Sequence, residues 1–404
     1  MAFAQYLLPA LALAGAAFAQ CSNSGTLTIA SAADASQLAS CTTYSGSVAI
    51  ETGLAYPMDN NGRQQVEVTT VRTITGNLTV TDAISLSSLS FGSLRSIGGF
   101  ELGGLTVLSE LSMPALTEVS QLNFTALPAL QTLDFGNPGL TRAESVLITN
   151  TGLSSLMGIS NLEQVDTFNI NNNQALQNIS LQVTSITGAL RIEANDGYQS
   201  GLTTSFPLLE TATNMTFRNC STISLPALNN VTEDLGFYGN TFETFVAPNL
   251  TSAGGLIFVD NTELTNISLP QLTAINATYQ IANNTQLKQV DGFTKLSVVK
   301  GALDFSGNFT DVQLPALTQV QGAFNLQTSA RFDCAAFDQL STNKVIRGKY
   351  TCLGMRTKPG GQGTGSGSSG GGDDEQSSAG QLFANLPVAV GGTLVLAGLL
   401  QIIL

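Results

Sequence analysis

SLPAL, Ser224–Leu228, recurs along the chain as SMPAL (Ser112–Leu116) and QLPAL (Gln313–Leu317), with looser copies SFPLL (Ser205–Leu209), VAPNL (Val246–Leu250) and SLPQL (Ser268–Leu272). The prolines at Pro207, Pro226, Pro248, Pro270 and Pro315 are separated by 19, 22, 22 and 45 residues, the last gap being two periods across a degenerate copy at Phe293–Leu296. A repeat of about 22 residues indicates a solenoid. Short alternating segments keep the same beat: VLIT from Val146, FNIN from Phe168, LRIE from Leu190, MTFR from Met215, LGFY from Leu235, LIFV from Leu256, YQIA from Tyr279, LDFS from Leu303 and FNLQ from Phe324. Each reads as a strand that sends residues such as Phe168, Ile170, Leu190, Ile192, Leu256 and Phe258 inward and Asn169, Arg191 and Ile257 outward.

One turn is then a strand, an Asn-containing bend, a corner at LPxL and an apolar-x-Gly link such as Val320-Gln321-Gly322. No turn buries its own faces, so successive turns must stack into a parallel sheet around one continuous core. The expected fold is all-β, a right-handed parallel β-solenoid. In SLPAL, Leu225 and Leu228 point inward, and Pro226 fixes the bend where ladder pairing can be spared. The asparagines after the strands, Asn150, Asn172, Asn219, Asn261, Asn283 and Asn308, are expected to form an inward ladder that satisfies bend amides.

The ends carry targeting signals. Residues 1–19 read as a signal peptide, with the apolar run YLLPALALAGAAF closed by Ala17-Phe18-Ala19, although MAFAQY lacks the usual Lys or Arg. Residues 20–355 form the ectodomain. Residues 356–380 form a Gly/Ser-rich tether with the attachment region for a glycosylphosphatidylinositol (GPI) anchor, and residues 381–404 a hydrophobic tail removed when the anchor is added. Ser377 is the expected attachment residue, with Ser378 and Gly371 as alternatives; a retained membrane helix is the competing reading of the tail.

The chemistry available is narrow. The chain of 404 residues has no histidine, five cysteines and a net charge of -13. The missing histidine removes the commonest general base and transition-metal ligand. The negative charge, without clustered Lys or Arg, excludes a nucleic-acid partner. No zinc, calcium or phosphate-binding motif is present, and no cofactor is expected. A carboxylate pair alone could serve a polysaccharide hydrolase or transglycosylase. The candidates, Glu193, Asp260 and Asp304, fall on turns two to three apart, with no obvious acid/nucleophile separation.

Eight sequons mark N-glycosylation sites at Asn77, Asn123, Asn178, Asn214, Asn230, Asn249, Asn266 and Asn276. Three more, at Asn219, Asn283 and Asn308, coincide with the expected ladder and read as structural. Two bridges among five cysteines allow fifteen pairings. Position favours Cys21 with Cys41 and Cys334 with Cys352, sealing the exposed ends of a stacked core and leaving Cys220 as a small buried thiol.

The order of these features resembles a known family. A signal segment, Cys-x19-Cys, LPxL turns with Asn-x-Ser/Thr, the closing RFDCAAFDQLSTNKVIRGKYTC (Arg331–Cys352), a Ser/Gly tether and a GPI signal together look like the fungal GPI-anchored cell-wall organisation proteins, the extracellular-mutant and sporulation-specific group. The repeats alone are also similar to the L domains of insulin and growth-factor receptors. The resemblance implies a non-enzymatic glycoprotein of plasma membrane and wall, held to the membrane by its lipid. It implies partners among wall polysaccharides or wall proteins and supplies no catalytic residues. The segment Ala55–Val71 departs from a clean first turn.

Overall fold

The computed structural model describes residues 21–55, 58, 61–195 and 201–361. The signal segment, the tail and the three GPI attachment candidates, Ser377, Ser378 and Gly371, lie outside the described residues.

Parallel strands coil into a β-solenoid of about 14 turns. Its main face is an 18-stranded parallel sheet, accompanied by shorter two- and three-stranded parallel sheets. The register follows the repeat: Val146 pairs with Phe168, Phe168 with Leu190, Leu190 with Met215, Met215 with Leu235, and Leu235 with Leu256. Phe168, Ile170, Leu190, Ile192, Leu256 and Phe258 are all fully buried, while Asn169, Arg191 and Ile257 face outward. Like residues stack on like: the rings of Phe217 and Phe258 lie parallel to that of Phe237, at 5.6 and 4.8 Å.

The SLPAL corners are hydrogen-bonded turns. Leu228 N–H donates to the Leu225 carbonyl, and the same bond joins Leu116 to Met113, Leu209 to Phe206, Leu250 to Ala247, Leu272 to Leu269 and Leu317 to Leu314. Proline at the second position sets the φ that such a turn needs and gives up no donor the ladder requires. The two flanking apolar residues point inward, Leu225 and Leu228 being buried while Pro226 is exposed. The link glycines have a different cause. Gly322 N–H donates to the Gly301 carbonyl, and a Cβ on Gly322 would lie 2.6 Å from that carbonyl oxygen, so neighbouring links touch backbone to backbone.

The bend corrects one expectation. Asn150, Asn172, Asn219 and Asn283 are exposed residues with φ between 55° and 57°, the left-handed conformation that Asn tolerates better than most residues. The inward ladder is formed by the next residue: Asn173, Asn195, Asn240, Asn261 and Asn284 are fully buried. Of the six asparagines expected in it, only Asn261 belongs there; Asn308 is half-buried and accepts from Ser329 Oγ at 3.0 Å. Asn261 shows the full bonding pattern. Its Oδ1 accepts from Asn240 N–H and Nδ2 at 3.0 and 2.9 Å, and its Nδ2 donates to the Phe237 carbonyl and to Asn284 Oδ1 at 3.1 and 3.0 Å. Paired asparagines such as Asn172-Asn173 thus divide two tasks, the first making the left-handed bend and the second the ladder.

Each end is closed by a short helix and a disulfide. At the start, α1 (Ala32–Ala39) is held by a capping box between Ser31 and Asp34 and buries Ala35 and Leu38; Cys21 is bonded to Cys41. The hydrogen bonds that Asp34 accepts from Ser31 and Ala30 hold its carboxyl below the usual carboxylate range. At the finish, α2 (Ala335–Thr342) follows Cys334, which is bonded to Cys352, and Phe337 packs on Phe324 with ring centroids 5.0 Å apart.

Candidate functional site

Two outward columns run up the main sheet. One contains Asn123, Leu147, Asn169, Arg191, Thr216, Gly236, Ile257, Gln280, Asp304 and Asn325 in register. The other, two residues further along each strand, carries Thr149, Asn171, Glu193, Arg218, Tyr238, Val259, Ala282, Ser306 and Gln327, of which Val259, Ala282 and Ser306 are buried. Backbone amides here are spent on neighbouring turns, so only side chains are presented outward.

At mid-face a cluster of planar groups is fixed in place. Arg218 Nε lies 3.6 Å from Glu193 Oε2, and its guanidinium stands 4.4 Å over the Tyr238 ring. That ring lies across Gly236, where any Cβ would come within 2.6 Å of it. Partial burial pushes the Tyr238 hydroxyl up to about 12, assisted by the nearby Asp234. Asp234 is itself raised, first by burial and then by the charge of Glu233.

The three candidate acids do not converge. Glu193 is engaged with Arg218. Asp260 sits just past its strand at φ 57°, an exposed bend residue. Asp304 is buried beneath the chain's own C-terminal segment. Gly361 passes over it so closely that a Cβ would lie 2.8 Å from Asp304 Oδ2, and Asn325 Nδ2 donates to Asp304 Oδ1 at 2.7 Å. The same segment is held by Asn325 Nδ2 donating to the Gly360 carbonyl at 3.0 Å and by Gly360 N–H donating to Gln327 Oε1 at 3.2 Å. Among the described residues no group of three metal-ligating side chains is assembled. Sequence reasoning missed both the Arg218–Tyr238 cluster and the C-terminal strap. The first was legible only as outward residues in register, and the second leaves no periodic signal.

Cys220 occupies the ladder column, where five turns place Asn and one places Thr151. Its N–H donates to Asn240 Oδ1 at 2.9 Å, and burial pushes its thiol up to about 12. None of the eight sequon asparagines is buried: Asn77, Asn178, Asn249, Asn266 and Asn276 are exposed, and Asn123, Asn214 and Asn230 half-buried. Asn219 and Asn283, assigned to structure on the sequence, are exposed at the bends, so the ladder does not withhold them from modification.

These features define a disulfide-capped, sequon-rich parallel β-solenoid whose three candidate acids, Glu193, Asp260 and Asp304, lie apart. The chain is 42% identical over 391 residues to a cell surface GPI-anchored protein of Arthroderma benhamiae, covering 96% of each chain. It is 42% identical over 363 residues to the protein ecm33 of Aspergillus fumigatus, covering 89% of this chain and 88% of that one. It is 30% identical over 377 residues to the cell wall protein ecm33 of Schizosaccharomyces pombe, covering 87% and 81%. The family model Ecm33, GPI-anchored cell wall organization protein, matches residues 1–39. The chain belongs to the Ecm33 family. No solved structure matches it.

Proposed function

We propose that this protein is a non-enzymatic, GPI-anchored surface glycoprotein that supports fungal cell-wall organisation as a rigid scaffold, binding wall polysaccharide or wall proteins. The observation that carries this reading is the fate of the recurrent residues. Leucines and prolines make corners, glycines make links and asparagines make bends and the ladder, leaving no repeated residue for chemistry. Its relatives in Arthroderma benhamiae, Aspergillus fumigatus and Schizosaccharomyces pombe bear the names of a surface protein, of ecm33 and of a cell wall protein. The anchor is added at Ser377, Ser378 or Gly371, and the eight unburied sequon asparagines carry N-glycans.

The test is rescue of a wall-defective deletion strain grown on wall-perturbing dyes. Glu193→Gln, Asp260→Asn, Asp304→Asn and Asp234→Asn are each expected to rescue as wild type does. Loss of rescue by a well-expressed carboxamide variant would revive the polysaccharide hydrolase or transglycosylase. Phosphatidylinositol-specific phospholipase C should release the protein from intact membranes. A protein that stays bound and still contains Leu386–Leu404 would overturn the anchor.

A further inference from the structure

The two outward columns contain no sequon asparagine from the Leu147 turn to the Gln280 turn. Seven strands at about 4.8 Å spacing make this strip about 29 Å long. Both of its ends are marked. Asn123, a sequon, stands one turn before Leu147 in the same column, and the C-terminal strap covers the face at Asp304, one turn after Gln280. Its sides are marked too: Asn214 precedes Thr216 on one margin, and Asn219 and Asn283 follow their strands on the other. Glycans at these positions would frame the strip.

We infer that this strip is the binding surface for an extended, uncharged polysaccharide, with the stacked Arg218–Tyr238 pair as its platform and Asn169, Arg191 and Gln280 as hydrogen-bonding groups. The inference rests on the scaffold reading above and names its partner. Charge is the first reason. Arg191 and Arg218 are offset by Glu193 and Asp234, so the strip is near neutral on a chain of net charge -13 that repels a polyanion.

Backbone geometry supplies the second reason. A polypeptide partner of extended form binds a sheet by adding a strand at an open edge. Here the two ends of the stack are closed by α1, α2 and the disulfides, and the strands of the face pair with the turns before and after them. Recognition must come from side chains, and this face supplies an aromatic ring fixed by Gly236 and Arg218, with planar amide and guanidinium groups at a regular spacing. A periodic surface of this kind suits a periodic polymer. The third reason is continuity with a contact already present: at the C-terminal end of the same face, Asn325 and Gln327 hold a neutral extended segment, Gly360–Gly361, by its polar groups.

The experiment measures binding of the full glycosylated chain to a neutral hexasaccharide of β-linked glucose. An oligogalacturonate and an uncharged peptide of similar length are the comparisons. Asn171→Thr completes an Asn-x-Thr sequon at Asn169 and so places a glycan on the strip; Asn169→Gln with Asn171→Thr is its glycan-free control. Binding to the glucose hexasaccharide is expected, weakened at least about tenfold by the added glycan and by Tyr238→Ala, and kept by Tyr238→Phe. The glycan-free control should bind more tightly than the glycosylated variant. Absence of binding, binding only to the charged polymer or to the peptide, or binding indifferent to a glycan shown to occupy Asn169 would each overturn the inference. Rescue by the carboxamide variants separates the two readings. If rescue stands while binding fails, the strip is wrong and the scaffold survives; if rescue is lost while the strip binds, the reverse holds.

Discussion

At the scale of single residues, most of the chemistry lies in the pair of positions that end each strand. The first takes a left-handed backbone and is Asn, Asp or Gly in most turns, as at Asn172, Asp260 and Gly239; the second is buried and bonds along the stack. Asn261→Ala would leave the Phe237 carbonyl and the Asn240 N–H buried without their partner, at about 1 to 3 kcal/mol for each group. Urea unfolding should show the loss, and an unchanged midpoint would refute the ladder's role. Cys220 interrupts the ladder between Asn195 and Asn240, so Cys220→Asn should raise the melting temperature by joining the two runs. The pH dependence follows from the same thiol. Its folded value of about 12 lies above the ordinary 9.0, so the folded state keeps its proton while the unfolded state loses it. Stability attributable to Cys220 is complete below pH 9 and declines as the pH rises toward 12, and Cys220→Asn should remove that part of the alkaline decline. Sequence alone located the bend and the ladder residue Asn261 but put the ladder one residue early at Asn150, Asn172, Asn219 and Asn283, because Asn suits both the left-handed conformation and an inward hydrogen-bonding site.

Elements were legible to unequal degrees, and the reason is periodicity. Nine main-face strands from Val146 onward were readable because alternation over four residues distinguishes their two sides, and the corners were readable because proline and two leucines recur at fixed spacing. The strands before Val146 were not singled out, and two-residue strands of the same sheet such as Ala274–Ile275 and Val298–Val299 are too short to alternate. The short strands of the minor sheets, such as Asn178–Ser180 and Asn266–Ser268, are too brief to alternate visibly. The cap helices occur once each and break the repeat, although the Ser31–Asp34 box is a start signal in sequence. Their disulfides matter because a solenoid's end turns have a neighbour on only one side. Cys334→Ser should cost about 3 kcal/mol, the chain-entropy value for a loop of this size, and expose the end of the core around Phe324 and Phe337. Hydrogen exchange should show fraying confined to the last turns, whereas uniform loss of protection would mean that the cap serves the whole stack.

Across the whole molecule, stability is set by nearest neighbours, since each turn touches mainly the turns before and after it. The aromatic column makes the middle a continuous packed rod: the ring of Phe237 contacts those of Phe217, Phe242, Phe245 and Phe258. Phe237→Ala should cost about 3 to 5 kcal/mol, the usual range for an aromatic deleted from a core. The consequence in a solenoid differs from that in a globular domain. The turns on either side keep their own neighbours and caps, so the weakened interface opens first while the two flanking stacks remain folded. Limited proteolysis of the variant should therefore cut within the turns around Phe237 and leave two resistant pieces, one ending in each disulfide cap. A single all-or-none transition with no resistant pieces would show that the stack folds as one cooperative unit. The strip on the outer face would then depend on the integrity of every turn from Leu147 to Gln280.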